Sequence, residues 1–414
     1  LGLPSAHPRH REERSDAATQ GSGIGPHVEL HADPLGCFAA LVMTQERSPA
    51  MARELLPSGP SIRRGFAVTN DIRTMKYRLD RRQALGLMGG AAASALIPMP
   101  GARVNAQTLD KVSYQTNWRA QAEHGGFYLA VANGIYKKYG IDADIRMGGP
   151  QQNPSQLLLG GRVDMIMSNS FEAINYVKED LPFLCIGSIF QKDPQVLISH
   201  PGVGNDTLAS LKGKPILIGA GGRTSYWPFL RAKFGFSDEQ IRPYTFNMAP
   251  FLADKQLSQQ GFLSSEPFAI MKAGVNPVVH LLADNGYDSY NTTINISRKM
   301  VSEKKDLVQR FVDATAEGWA TYIKGGPGIE AANALIKKDN PDMDDEKIAY
   351  AIKVMNEKGI VMSGDAIKGG VGAMSAERWK GFYDTMAAAG AFTPGIDVTK
   401  AYSLEFVNKG VGKA

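Results

Sequence analysis

Apolar and polar positions change period repeatedly along the chain from residue 107 onward. Lys111 to Thr116 alternates, with Val112 and Tyr114 on one side, which predicts a strand. Phe127 to Tyr139 carries Leu129, Ala130, Ala132 and Ile135 at helical spacing and predicts a helix. Strands follow at Ile141–Met147, Arg162–Met167 and Phe183–Ile189, with helices at Pro154–Leu159 and Phe171–Lys178 between them. Around His200-Pro201-Gly202 the pattern restarts. A short helix at Leu208–Lys212 leads to a strand at Pro215–Gly219, a glycine turn at Ala220–Tyr226 and a helix to about Phe234. Gly261–Phe268 closes this second unit. Asn276–Leu282 and Thr292–Ser297 read as strands, the latter returning the chain to the first unit. Beyond Ser302 the pattern is helical, at Lys305–Ile323, Asp342–Glu357 and Ala376–Ala388. Such alternation predicts an α/β protein with parallel-rich sheets wrapped by helices.

Residues 1–74 show no such periodicity and carry a charge cluster between His7 and Arg14. Met75 opens a different pattern: basic Lys76, Arg78, Arg81 and Arg82, an apolar run from Ala84 to Pro100, and small residues at Val104-Asn105-Ala106. This order is that of an export signal peptide, cleaved near Ala106. Met75 is then the expected start, and 1–74 an upstream extension foreign to the fold. Asp80-Arg81-Arg82 resembles a twin-arginine signal, but Ala84 stands where that motif prefers Phe, so both export routes stay open.

Composition adds little beyond exclusions. A hydrophobic fraction of 43% and a charged fraction of 21% are ordinary for a globular chain, and the net charge of +5 is not gathered into a basic run. Nucleic acid is therefore not an expected partner. Cys185 is the one cysteine after the leader and lies in an apolar strand, and beyond the leader no cysteine pair or His-x-x-x-His suggests a metal. Neither a nucleophile elbow nor a dinucleotide-binding glycine motif occurs, so neither catalytic residues nor a cofactor is expected.

Two places repeat one device, a strand followed by a polar turn and a helix start, where open α/β sheets bind ligands. In the first, Trp118 either stacks on a planar ligand or packs beneath the turn, and His124, ahead of Gly125-Gly126, either donates to ligand or caps the turn. Ser168 and Asn169 end a strand and can bind ligand, cap the next helix, or both. In the second, Gly221, Gly222, Arg223 and Thr224 offer turn N–H groups and a guanidinium to a carboxylate, sulfonate or phosphate, with Tyr226 as a wall. The alternative is an ordinary helix start with Arg223 in solvent. If the ligand is an anion held by Arg223, Arg223→Ala should remove one charge-assisted hydrogen bond. Glu266, before Pro267, offers a carboxylate to an amine or amidine, or a salt bridge at the hinge. Asn285, Tyr287 and Tyr290 form a weaker group near the second crossing.

Asn117-Trp118, His124-Gly125-Gly126-Phe127-Tyr128-Leu129-Ala130, Asn133-Gly134-Ile135-Tyr136 and Tyr139-Gly140-Ile141-Asp142 resemble the opening of periplasmic solute-binding proteins of ABC importers, in the branch of sulfonate, nitrate and thiamine-pyrimidine-precursor binders. Gly160–Met165, Leu211–Ile216 and Glu266-Pro267 resemble later steps of that family. The resemblance implies a bilobal, type II-like periplasmic-binding-protein fold with a ligand cleft and a helical C-terminal wrap. Lobe 1 would span 107–199 plus 292–414, and lobe 2 200–291. It implies a monomeric, non-enzymatic receptor in the periplasm. The receptor would bind a small planar, anionic or zwitterionic nutrient, such as a thiamine pyrimidine precursor, sulfonate or carboxylate. Its partner would be an inner-membrane ABC permease. A related branch is the thiamine pyrimidine synthase, which consumes its own histidine and pyridoxal phosphate and carries a clustered-cysteine iron motif. Ser168 and Glu172 stand where that enzyme has its cofactor lysine and donor histidine, and the cysteine cluster is missing. The resemblance therefore implies binding without that chemistry.

Overall fold

The computed structural model describes residues 108–413. The extension expected at 1–74, with Cys37, and the signal peptide expected at 75–106 lie outside the described residues. β1 (Asp110–Gln115) is followed by a 3-10 turn at Ala122–His124, α1 (Gly125–Ala132) and α2 (Ile135–Lys138). The helix expected from Phe127 to Tyr139 is thus two, parted by Gly134 at φ 65, a left-handed conformation that glycine adopts without steric cost. β2 (Ile141–Arg146), α3 (Pro154–Leu159), β3 (Met165–Asn169), α4 (Ser170–Lys178) and β4 (Phe183–Phe190) complete the first run.

The chain then enters a second sheet with β5 (Gln195–Ser199), ahead of the expected boundary at 200. β6 (Ile216–Ile218), α5 (Ala220–Thr224), α6 (Trp227–Phe234), β7 (Ile241–Pro243), α7 (Ala249–Ala253), β8 (Ser258–Phe262), α8 (Glu266–Lys272) and β9 (Val278–Leu281) follow. β10 (Asn291–Ser297) returns the chain to the first sheet, between β3 and β4. Helices α9 (Arg298–Glu303), α10 (Lys305–Ile323), α11 (Ile329–Asp339), α12 (Asp345–Glu357), α13 (Ala366–Gly369) and α14 (Ala376–Ala388) form the C-terminal region.

The strand orders are β2-β1-β3-β10-β4 and β7-β6-β8-β5-β9. Both sheets are mixed rather than parallel-rich. β1 pairs in parallel with β2 and β3, whereas β10 runs antiparallel to β3 and β4. Likewise β6 is parallel to β7 and β8, and β5 antiparallel to β8 and β9. The antiparallel strands are those that carry the chain between sheets. All residues of β4 are buried although it ends the hydrogen-bonded order. Single bridges from Cys185 to Tyr402 and from Ser188 to Gly372 cover its outer edge with C-terminal chain. An edge so covered offers no template for pairing with other chains.

The first core forms around α10, whose Leu307, Phe311, Val312, Trp319 and Tyr322 are buried on its inner face. Helix α1 crosses it at glycines. Tyr114 stacks on Phe127 at 4.6 Å, and Phe127 meets Trp319 edge-on at 5.7 Å. A separate apolar cluster of Val196, Ile198, Leu217, Tyr244, Phe251 and Ile270 holds the second sheet to its helices.

Candidate functional site

The two sheets face each other across a cavity of about 90 Å³. Backbone and side-chain bonds close it from both sides. The Ala220 N–H donates to Pro150 O at 2.9 Å, Gln151 Nε2 donates to Tyr244 O at 3.0 Å, and Asn175 Nδ2 donates to Thr224 O at 3.2 Å. Each joins a segment flanking the first sheet to one flanking the second, so this is a shut cleft.

Of the residues expected at a site, Trp118, Ser168, Asn169, Gly221, Gly222, Thr224, Tyr226 and Glu266 line the cavity. Trp118 leaves β1 in a loop tied down by Thr116 Oγ1 donating to its carbonyl at 2.9 Å. Its ring is half-buried and stacks on Tyr244 with centroids 5.9 Å apart and planes at 16°. Asn169 takes the capping role foreseen for it, its Oδ1 accepting from the Glu172 N–H at 3.0 Å at the start of α4, and the residue borders the cavity. Tyr226 donates its hydroxyl to Gln260 Oε1 at 2.9 Å, and the same oxygen accepts the Gly219 N–H at 2.6 Å. Glu266 begins α8; Oε1 accepts from the Tyr244 hydroxyl at 3.1 Å and Oε2 from the Phe262 N–H at 2.8 Å.

His124 and Arg223 do not line the cavity. His124 belongs to the 3-10 turn Ala122–His124, which is buried throughout, and neither ring nitrogen has a partner. Desolvation lowers its pKa to about 3, so the imidazole is neutral. Arg223 is exposed. The expected open glycine turn is the short helix α5, with Ser225 N–H donating back to Gly221 O at 3.2 Å, and this winding leaves the guanidinium on the outer side. Arg223→Ala is therefore expected to leave ligand affinity within about twofold, the usual range for a surface change. Calorimetric titration of the variant checks this.

Of the four most telling lining residues, Asp193 and Gln121 are new, Tyr287 comes from the weaker group near the second crossing, and Glu172 stands at the synthase's donor-histidine position. Asp193 sits on the crossing from β4 to β5 and is buried; Oδ1 accepts the Gln195 N–H at 2.9 Å, and Oδ2 has no partner. Glu172, in the first turn of α4, keeps some exposure as a residue, but its Oε1 is buried and unpartnered. Gln121 Oε1 and the Tyr287 hydroxyl are buried in the same state. All four residues border the cavity. Burial raises the carboxyls of Glu172 and Asp193 to about 7 and also raises that of Glu266. Among the described residues, no lysine, arginine or histidine lines the cavity. Four unpaired polar atoms, mostly acceptors, and three carboxyls therefore converge on a space without a cation of its own. Buried acceptors left unpaired cost about 1–3 kcal/mol each, which a donor-bearing ligand would offset.

No sequence motif marks Asp193 or Gln121. The available signal for Asp193 is its place before Pro194, between two strands, at a crossing that ligand clefts use.

Comparison with known proteins gives the same frame. Residues 121–325 match the family model described as NMT1/THI5 like. The chain is similar to a riboflavin-binding protein, RibY, of Chloroflexus aurantiacus, at 22% identity over 77% of this chain and 92% of that protein. It is similar to a formylaminopyrimidine-binding protein of Halalkalibacterium halodurans, at 21% identity over 66% of this chain and 84% of that one. Its fold is similar to the periplasmic aliphatic sulphonate binding protein SsuA of Escherichia coli, with a TM-score of 0.51, 15% identity, and 70% and 91% of the two chains covered. The described residues thus have a periplasmic-binding-protein-like α/β fold. With its glycine-flanked first turn, its two sheets and its acceptor-lined cleft, the chain belongs over residues 121–325 to the NMT1/THI5-like family.

Proposed function

We propose that this protein is the solute-binding component of an ABC importer. It closes over a small planar molecule that presents N–H donors, and it delivers that molecule to a permease in the membrane. One observation carries the ligand class: Gln121, Glu172, Asp193 and Tyr287 turn unpaired buried polar atoms to a cavity with no basic side chain. An anion would meet three carboxyls there, so of the anionic and zwitterionic ligands expected, the purely anionic ones are set aside and a donor-bearing one such as the pyrimidine precursor is favoured. A ring carrying amino groups fits, with its face against Trp118 and its edges toward the acceptors. Relatives named for formylaminopyrimidine and riboflavin support a nitrogen-rich planar ligand. The cleft is shut because Trp118, Asn175 and Pro150 reach the second lobe. A ligand touching both lobes favours this form over the open one.

We take 75–106 as an export signal, by either route, and the receptor as a periplasmic monomer facing an inner-membrane permease. Pyrimidine synthesis is disfavoured by the residues themselves. No lysine lines the cavity to form a Schiff base, and Ser168 and Glu172 occupy the corresponding positions. Native mass spectrometry of freshly purified protein tests the reading. A bound nitrogen-rich compound, lost in Glu172→Gln, is the expected result. A bound sulfonate or phosphate compound would refute the donor-bearing class, and pyrimidine production by the purified chain would refute the receptor.

A further inference from the structure

We infer that the protein carries a second ligand site, behind the cleft, for a primary amine on an apolar body. A cavity of about 390 Å³ lies there. Glu266 borders both it and the cleft and accepts the hydroxyl of Tyr244, which lines the rear cavity, so this pair stands between the two. Phe246, Met248 and Leu252, from the second lobe, make one apolar wall; Met343 and Ala351, from the C-terminal helical region, make the other.

The cavity also has an acidic end that no basic side chain among the described residues neutralises. Glu123 lines it and is fully buried. Its Oε1 accepts the Ser264 hydroxyl across the two lobes, while Oε2 has no partner. Lys347, the cation on the wall, is spent elsewhere: its Nζ donates to Asp342 O and lies 3.9 Å from Asp344 Oδ2. An ammonium group supplies the donor that Glu123 Oε2 lacks, and an aromatic or aliphatic body covers Phe246, Met248, Leu252 and Met343. A carboxylate or phosphate ligand would instead face Glu123, Glu266 and Asp342.

Phe246 connects this space to the cleft. Its backbone is held at φ 64, uncommon for a bulky side chain, and its ring meets Trp118 edge-on at 6.0 Å under the Arg119 guanidinium at 5.5 Å. An occupant packed on Phe246 therefore bears on the tryptophan of the cleft. Because it bridges the lobes, it also favours the closed form.

The site is independent of what the cleft binds, and its test keeps the two apart. Phenethylamine is titrated calorimetrically into the full exported chain, with circular dichroism confirming that each variant is folded. The wild type is expected to bind one equivalent saturably. Glu123→Gln should weaken binding at least about tenfold, the loss of one charge-assisted bond. Leu252→Trp, which fills the cavity from its partly exposed wall and leaves Glu123 intact, should abolish binding. Glu172→Gln, in the cleft, should leave binding unchanged. Absence of saturable binding in the wild type overturns the proposal. So does binding that survives Leu252→Trp but is lost in Glu172→Gln, since the amine would then occupy the cleft.

Discussion

Between pH 5 and pH 8 the ligand-free protein is expected to lose stability rather than gain it. Glu123, Glu172 and Asp193 titrate at about 7 in the folded state, against ordinary values of 4.5, 4.5 and 3.8. In each case desolvation is the largest cause. Across that interval the folded protein holds protons that the unfolded chain has released, so the unfolding free energy falls with rising pH. The contribution is complete below about pH 4 and is lost as pH rises through about 7. One carboxyl with this displacement is worth about 3 kcal/mol at the alkaline limit, a large fraction of a normal domain's stability. Urea unfolding at pH 5, 6, 7 and 8 should show the decline. Glu172→Gln, which cannot ionise, should flatten it by about one such group. A profile that rises steadily to pH 8 would mean these carboxyls are paired or solvated.

The second large effect is expected at the crossing of α1 and α10. A Cβ on Gly126 would stand 2.1 Å from Cγ of Trp319. That indole cannot step aside, since Phe127 and Phe190 hold it edge-on at 5.7 and 5.5 Å. The helices are close from the other side too, where a Cβ on Gly318 would lie 2.5 Å from Gly126 O. Gly126→Ala should therefore destabilise the protein by about 3 kcal/mol, the upper end for overpacking, even after alanine's helix preference of about 1 kcal/mol is counted. Thermal unfolding of the variant measures this, and an unchanged midpoint would mean that the two helices can separate freely.

Regions where one physical signal dominates were readable from the chain. Pro154–Leu159, Lys305–Ile323 and Ala376–Ala388 are helices with the expected bounds, because a cap or a long amphipathic period specifies each. β10 rejoins the first sheet as its pattern suggested. Three strands escaped notice: β7 is three residues long and ends in proline, and the other two are hidden for opposite reasons. β5 is buried throughout and short, so it has no alternation to read. β8 is buried yet polar, with Gln259 and Gln260 inside it, and looks like a loop. The second sheet holds those glutamines in place; Gln260, for one, binds Gly219 and Tyr226.

The site shows the same division. Trp118, Asn169 and Glu266 lie at strand ends or helix starts, which sequence can locate. Arg223 was read as a ligand group because glycines beside a cation suit an anion. Whether such a stretch stays an open turn or winds into α5 depends on packing, here of Gly222 beneath Tyr226, where a Cβ would lie 2.4 Å from the hydroxyl oxygen. Asp193 and Gln121 are ordinary residues in the sequence. They become a site only when two crossings bring them to one cavity, and the proposed preference for a donor-bearing ligand over a purely anionic one rests on them.

That proposed preference is most directly tested by titrating the purified protein with 4-amino-5-hydroxymethyl-2-methylpyrimidine and riboflavin, and separately with an alkanesulfonate. Saturable binding of at least one nitrogen-rich ring, weakened about tenfold or more by Glu172→Gln as for a lost charge-assisted bond, with none for the sulfonate, is the predicted result. Tight binding of the sulfonate, with neither ring bound, would contradict it.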